Sequence, residues 1–576
     1  MAHLSEHLNR SEGHWLRDLI LLTILFAVLF FQGLGTTPLM DPDEGRYAEI
    51  PREMLERGDL VTPTLNYVKY FEKPPLLYWL NAAALTALGR DETAVRLPSA
   101  LAGLLTVLLT YGAGRRLYDR RIGLLGALIL GSCAGFLMQS RLILTDMLLT
   151  LCLSGGLFAF LLAVRSSNVH QRRLFYHLFF LGCGLAVLAK GLIGIVLPAG
   201  ILFWWLLIGK QWRLAREIPW LTGLILLLAV TAPWFILVTL RNPEFPRFFF
   251  IHEHFERFTS TIHHRQQPFW FFLPILALTM LPWSFLLPGS LMAAWQERAR
   301  SRGVSLYLLL WPLVILFFFS LSDSKLIPYI LPIFPPLALL IAHRLAVVWN
   351  QRQPRFGAAL GSLGFLLLAA GVAIALLPFL PALGPLLQQS GQSGSQLAGL
   401  LYGPTPVLTQ RIVALIGAAL AIPGCLLLLA LRTRSVALVT TLLCLCGLLL
   451  DLLLPLVYQR FAAERLSSRL LARAVNASAT PQTLLAQWGL HQGMNFYTGR
   501  RLITVGDADE LTFGSRLGDQ QGWFMTPDAF DRLWHAGRQV MIVVPHREAA
   551  RFTAGAPGLQ PRILADNGLL FLIANH

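Results

Sequence analysis

Apolar runs of membrane-spanning length recur from near the start of this chain to residue 457, and they decide its class of fold. LILLTILFAVLFFQGLG (19–35) and ALVTTLLCLCGLLL (437–450) approach or reach the roughly 20 residues needed to cross a bilayer, and similar runs lie between them. Of the 576 residues, 55% are hydrophobic and 14% charged, against about a quarter charged in soluble domains. The chain therefore reads as a polytopic α-helical membrane protein. Its net charge of +16 does not call for nucleic acid. No basic stripe interleaved with aromatics is present, and basic cytoplasmic loops account for the excess. The six cysteines (Cys133, Cys152, Cys183, Cys425, Cys444 and Cys446) all sit in apolar runs without a CxxC pair. They read as small apolar fillers, not as a zinc site or a disulfide framework. MAHLSEHLNRSEGHWLRD is too polar and too long to precede the core of a cleaved signal peptide, so the first apolar run is read as a retained span.

The basic clusters orient the spans. RRLYDRR (115–121), VRSSNVHQRR (164–173), KQWRLAR (210–216), QERARSR (296–302), HRLAVVWNQRQPR (343–355) and RTR (432–434) are all expected on the cytoplasmic side. Neighbouring clusters must then enclose two spans each. Spans near 18–38, 97–114, 122–138, 146–163, 174–189, 192–209, 218–240, 269–294, 304–321, 328–345, 357–377, 411–431 and 435–457 satisfy that condition, about thirteen in all. PPLLYWLNAAALTALG (74–89) is short for a span, and counting it would invert every later loop. It is read as a helix at the outer interface with Tyr78 and Trp79 in the headgroup layer. Residues 39–96 then form one large extracytoplasmic loop within a membrane domain covering 1–457. Residues 458–576 change character: LITVGD, GWFMT, QVMIVVP and LLFLIAN read as strands, and SSRLLARAV and TPDAFDRLWHAG as helices. The expectation is a small extracytoplasmic α/β domain without a glycine-rich phosphate loop, more a binding or stabilising module than a catalytic one.

This topology gathers ionisable residues on the outer face. The first loop contributes Asp43, Glu44, Arg46, Glu72 and Lys73. QSRLILTD contributes Arg141 and Asp146, and RNPEFPRFFFIHEHFERFTSTIHHR contributes His252, Glu253, His254, Glu256 and Arg257. SDSKLIPY contributes Asp323, Lys325 and Tyr329. Carboxylates at a bilayer rim are costly against lipid, so they are expected to face a cavity. Carboxylates, imidazole and cations drawn from separate loops suit an anionic substrate, with or without a divalent metal. HEHFE is not the H-E-x-x-H zinc-protease motif. A single carboxylate at a helix end is usually a cap or solvated, so the grouping carries the argument. Lys190, at the same rim, is ranked lower because rim lysines snorkel. Asp451, within the last span, calls for a partner that the sequence does not name.

Four stretches, PDEGRYAEIPREML, GDLVTPTLNYVKYFEKPPLLYWL, RLPSALAGLLTVLLTYGAGRRLYDRRIGLLGALIL and SRLILTDMLLT, resemble the bacterial lipid A aminoarabinose transferases. These are membrane glycosyltransferases of the GT-C fold, related to protein O-mannosyltransferases. The likeness runs through residues 18–345, and the later part agrees in layout only. It implies transfer of 4-amino-4-deoxy-L-arabinose from undecaprenyl phosphate to a lipid A phosphate, by a monomer of the bacterial inner membrane whose active site faces the periplasm. Polymyxin resistance would follow. It also implies that Asp43 and Asp146 line the reaction centre, with Glu44 beside them. Lys73, Arg257 and Tyr329 would grip the donor phosphate, with Lys325 and Arg46 nearby. Glu72 and His254 would hold a divalent ion, zinc or magnesium/manganese. With an ionised phosphate as acceptor, Asp43 would position the sugar. With a hydroxyl acceptor it would be the general base.

Two other readings stay open. One is a related transferase that moves a hexosamine, hexose or mannose to lipid A, a glycan or a protein hydroxyl. The other is a lipid or sugar transporter, disfavoured because no internal repeat is evident and the charges gather at one rim rather than at the midplane.

Overall fold

The computed structural model describes residues 14–256, 267–299, 301, 303–349, 357–380, 383, 385, 406–433, 435–461, 463–553 and 559–576, with side chains undescribed over 252–256, 357–359, 406–409, 451 and 454–461. Every segment read as a span falls on a helix or on a bent pair of helices. Among the described residues, eight helices are long and apolar enough to cross a membrane, or up to ten if each bent pair is one span. The bent pairs are Arg120–Gly131 with Ala134–Ser140, at 69°, and Phe269–Thr279 with Trp283–Glu297, at 113°. Trp15–Phe31, Ile193–Ile208 and the apolar part of the last helix, Val436–Leu450, are shorter. Glu92–Leu117, Thr145–Arg165 and Ile327–Trp349 form the centre of the bundle, with two thirds or more of their apolar windows buried. Trp220–Arg241, Leu360–Phe379 and Gln410–Thr433 bury less than a third and present leucine and isoleucine outward, as lipid-facing helices do.

Small residues set the close helix contacts. A Cβ built on Gly182 would lie 2.8 Å from the Cα of Gly156, so Thr145–Arg165 and Val169–Lys190 approach backbone to backbone. This brings Asp146, in the first turn of one helix, to Lys190, the last residue of the other. Asp91 starts the central helix Glu92–Leu117 by accepting from the Ala94 N–H at 2.7 Å.

The two ends of the bundle separate as the basic clusters require. At one end Asp18 accepts from Arg120 Nε and Nη2 at 2.6 Å, Arg172 meets Glu217 at 3.0 Å, and Glu297 lies 3.5 Å from His343. The first loop, Asp146, Lys190, Tyr329 and the C-terminal domain lie together at the other end.

Two sequence expectations are corrected. Leu76–Leu88 is too short to be a span, but its Tyr78 is not free to reach a headgroup layer. Tyr78 is fully buried and stacks on Tyr47 with ring centroids 6.2 Å apart, and Trp79 Nε1 donates to the Leu60 carbonyl at 2.8 Å. The aromatic pair that suggested an interface instead packs the helix between the first-loop helix Asp43–Arg57 and the central span. The second correction concerns the C-terminal strands. Its sheet has six, in the order Phe524–Met525, Ile503–Val505, Leu484–Trp488, Val540–Pro545, Leu570–Ala574, Arg562–Asp566. The first four are parallel and the last two pairings antiparallel. Leu484–Trp488 and Arg562–Asp566 carry weak apolar alternation and were not expected as strands, nor was the helix Gln492–Thr498. Val540–Val544 is buried without interruption because both sheet faces are covered.

The C-terminal domain is seated on the first loop. A Cβ on Gly45 would come within 2.5 Å of Gly493 N, which explains a glycine inside the charged helix. Asp41 accepts from Gly493 N at 2.7 Å and from the Ser468 hydroxyl, while its own N–H donates to Leu466 O at 2.8 Å. Asn66 and Asn495 join the two parts through a 2.8 Å amide contact. Burial of the Asp41 carboxyl, opposed by these donors, pushes its pKa up to about 6 from 3.8. The folded state therefore holds the Asp41 proton more tightly than the unfolded chain, so this contribution to stability is complete below about pH 3.8 and is lost as pH rises through 6. The expected result is that the parent loses thermal stability relative to Asp41→Asn between pH 4 and 7. A difference that does not vary with pH over that range would remove the effect.

Candidate active site

The charged helix Asp43–Arg57 commits most of its charges internally. Glu44 is 1% exposed and receives Arg96 on both oxygens, Nε at 2.8 Å and Nη2 at 2.6 Å. It also accepts from Met40 N at 3.0 Å and Ile143 N at 3.2 Å. Arg96 spends its remaining donors on the carbonyls of Leu34, Thr37 and Pro38. Glu44, expected among the catalytic carboxylates, is a clamp that ties the first loop to the central span. Glu49 pairs with Arg52 at 2.6 Å, and Glu53 accepts from the Thr64 hydroxyl at 2.6 Å and from Tyr67 N. Asp43 keeps 41% of its side chain exposed beside Arg46.

Arg46 is 5% exposed. One arm of its fork meets Asp43, the other meets Glu510 from the C-terminal domain, and its plane lies over Tyr47 at 4.9 Å. Tyr70 donates to the same Glu510 at 3.2 Å. Arg46, expected to contact phosphate, already has two carboxylate partners.

Tyr47 marks where the loops converge. Burial raises its phenol above the ordinary value, Arg46 opposes the shift, and the charges of Asp43, Glu72 and Asp146 add to it. The Tyr47 phenol thus feels the charges of Asp43 and Glu72 from the first loop and of Asp146 from the second, together with that of Arg46. Asp146 is 5% exposed and paired with Lys190, whose ammonium sits 4.6 Å from the centroid of the Tyr329 ring. Tyr329 is on the turn Ile327–Ile333, packed against Phe319 at 5.0 Å. Lys73 donates to its neighbour's carbonyl, Glu72 O, at 2.9 Å and lies 3.8 Å from the Glu72 carboxylate. Lys325 is buried and donates to Gln267 O at 3.0 Å and to Ser322 O. These contacts fasten its own loop. Arg141 likewise clamps carbonyls, Leu29 O at 2.8 Å and Gln32 O at 2.6 Å. Asp323 is exposed.

Arg257 and the side chains of His252, Glu253, His254, Glu256 and Asp451 lie outside the described residues. Among the described residues, no group of three or more His, Cys, Asp or Glu is placed to hold a metal.

Sequence reasoning missed three groups. Lys190 was set aside as a snorkelling lysine, yet it is paired with Asp146. Tyr47 carried no charge to notice. Glu510 stands more than 400 positions from Arg46 and in a domain without a catalytic string. Tyr78, Glu72 and Glu510 all contribute to one buried field with Arg46. Chemically, the end of the bundle offers an open carboxylate at Asp43, a masked ammonium at Lys190 and a buried guanidinium at Arg46. That set can position a cationic or hydroxylated sugar and stabilise charge on a leaving phosphate.

The family model for dolichyl-phosphate-mannose-protein mannosyltransferase matches residues 15–249, and that for the aminoarabinose transferase C-terminal domain matches 471–575. A protein of Erwinia tasmaniensis named undecaprenyl phosphate-alpha-4-amino-4-deoxy-L-arabinose arabinosyl transferase is 37% identical over 57% of this chain and 59% of its own length. One of that name from Sodalis glossinidius is 37% identical over 64% of this chain and 67% of its own. The curated matches thus span about three fifths to two thirds of those relatives. The crystal structure of ArnT from Cupriavidus metallidurans bound to undecaprenyl phosphate superimposes with a TM-score of 0.80 at 29% identity, covering 98% of this chain and 99% of that one.

Proposed function

This chain belongs to the undecaprenyl phosphate-4-amino-4-deoxy-L-arabinose arabinosyl transferase family, and we propose that it moves that sugar from undecaprenyl phosphate to a phosphate of lipid A. The observation that carries the proposal is the Arg46 fork between Asp43 and Glu510, with the buried Asp146–Lys190 pair against the Tyr329 ring at the same end of the bundle.

The acceptor phosphate is ionised at neutral pH and needs no general base. One of its oxygens attacks the anomeric carbon. The bond from that carbon to the undecaprenyl phosphate oxygen breaks, and its electron pair leaves on the departing phosphate monoester. The added negative charge falls where Lys73, Lys190 and Arg46 stand, with the Tyr329 hydroxyl as a further donor. Asp43 faces the sugar and holds its ammonium, while Asp146 keeps Lys190 in place. A divalent ion, with one ligand from Glu72 and one from His254, would add Lewis-acid stabilisation of the same leaving group.

Thirteen spans, with residues 1–457 as the membrane domain and 458–576 outside it, give this centre a periplasmic aspect in the bacterial inner membrane, in a chain acting as a monomer. Support comes from the charge separation between the two ends of the bundle. The test is mass spectrometry of lipid A from a host lacking its own transferase, with and without this chain. A pentosamine added only when the chain is present is the expected result. A hexosamine or hexose instead, or no change, would overturn the sugar assignment. A reporter fused after residue 460 that reads cytoplasmic would overturn the orientation.

A further inference from the structure

The C-terminal domain reaches into the centre at one point. Glu510, on the short turn Asp509–Leu511, is buried to 7% of its side-chain surface. It sits between Arg46 Nη1, the Tyr70 hydroxyl at 3.2 Å and Gln492 Nε2 at 3.5 Å. Arg46 thus has one carboxylate at each end of its fork, and its Nε is buried without a hydrogen-bond partner among the described residues. A guanidinium held at two points is fixed in rotation as well as in place, whereas one held at a single point swings about its side chain.

We propose that Glu510 is a positioning residue of the transfer reaction. By holding one arm of Arg46 it keeps the other arm on Asp43, so the C-terminal domain completes the active centre and does not merely stabilise it. The inference rests on the transferase reading. Asp43 is the open carboxylate, and the orientation of its oxygens toward the sugar is set by the arm of Arg46 that Glu510 leaves to it. Glu510 also leaves Arg46 shared between two carboxylates, so an arriving phosphate meets a guanidinium whose direction is already decided.

Two features make this more than an ordinary domain contact. The neighbouring contacts between the domain and the first loop, at Asp41, Asn66 and Tyr497, engage Gly493 N, the Ser468 hydroxyl, Asn495, Leu39 N and Glu92, none of which touches Asp43 in these contacts. The Glu510 contact ends on a residue that touches Asp43. The Phe513 ring, three residues on, packs 6.2 Å from Phe71 and 4.1 Å from Phe248. This holds the Glu510 turn against the first loop by apolar contact, so losing the carboxylate charge need not release the domain.

The experiment measures Glu510→Gln, Glu510→Asp and, as a control at the same domain junction, Glu464→Gln, which removes an exposed partner of Arg469. Full-length chains are compared for kcat, for KM of an undecaprenyl-phosphate sugar donor and for Tm. Expected is a tenfold or greater fall in kcat for Glu510→Gln, with donor KM within about threefold of the parent and Tm little changed. Glu510→Asp should recover part of the loss, and Glu464→Gln should match the parent. Hydrogen exchange over residues 41–57 should rise in Glu510→Gln, a readout independent of turnover. Overturning results are a kcat within twofold of the parent, or a loss that follows Tm and is not recovered by aspartate. A parent without transferase activity would refute the function reading instead, and the exchange measurement would still judge the hold on Arg46.

Discussion

Asp43→Asn is expected to lower transfer at least a hundredfold while leaving membrane yield and Tm near those of the parent. The side chain is 41% exposed, and Arg46 keeps its second carboxylate partner when the charge is removed. Folding therefore loses little, and a carboxylate acting only as a cap would be replaced by asparagine at almost no cost. Removing one preorganised electrostatic contact from a reaction centre costs about 10²–10³ in rate. Asp146 needs a different design, because its ion pair with Lys190 is nearly buried. Asp146→Asn alone strands an ammonium, and breaking such a pair costs about 3–5 kcal/mol. The double variant Asp146→Asn with Lys190→Gln removes both charges and should recover much of that stability with transfer still lost. Lipid A mass spectra together with Tm read both outcomes. Transfer within threefold of the parent in Asp43→Asn, or in the double variant, would dismiss the assignment of that aspartate to the reaction.

The largest loss of stability is expected at Arg96. Arg96→Ala removes the partner of both Glu44 oxygens and the donors to three carbonyls in one step. A buried carboxylate left without its cation costs about 3–5 kcal/mol, a large part of what holds any domain together. Little folded protein should be recovered from the membrane. Glu44→Gln with Arg96→Met, which removes both charges, should be recovered in larger amounts than Arg96→Ala. Equal recovery of parent and Arg96→Ala would show that the pair is dispensable and would reopen a catalytic role for Glu44.

Particular residues show where the sequence could be read and where it could not. Asp43, Glu72 and Asp146 were placed on one face from loop parity alone, because the charge cost of crossing a bilayer sorts loops by side whatever their contacts. The same reasoning put Glu44 and Lys325 in the centre, where the structure uses them to hold the loops, and set Lys190 aside. The side of a charge is a property of the segment, whereas its role depends on which group faces it. Glu44 differs from Asp43 by one position and about 100° around the same helix. That rotation turns one side chain into the protein against Arg96 and leaves the other partly exposed.

The sequence by itself determined the class of fold and the gathering of the first-loop, Asp146 and Tyr329 residues at one end of the bundle, since these follow from apolar length and loop charge, which are local and additive. The tertiary structure alone decided which charges cancel. Arg46 meets Glu510, Asp146 meets Lys190, and Asp41 receives Gly493 across several hundred residues. Ion pairing falls off within a few ångströms and depends on direction, so no property of either partner's own segment records it.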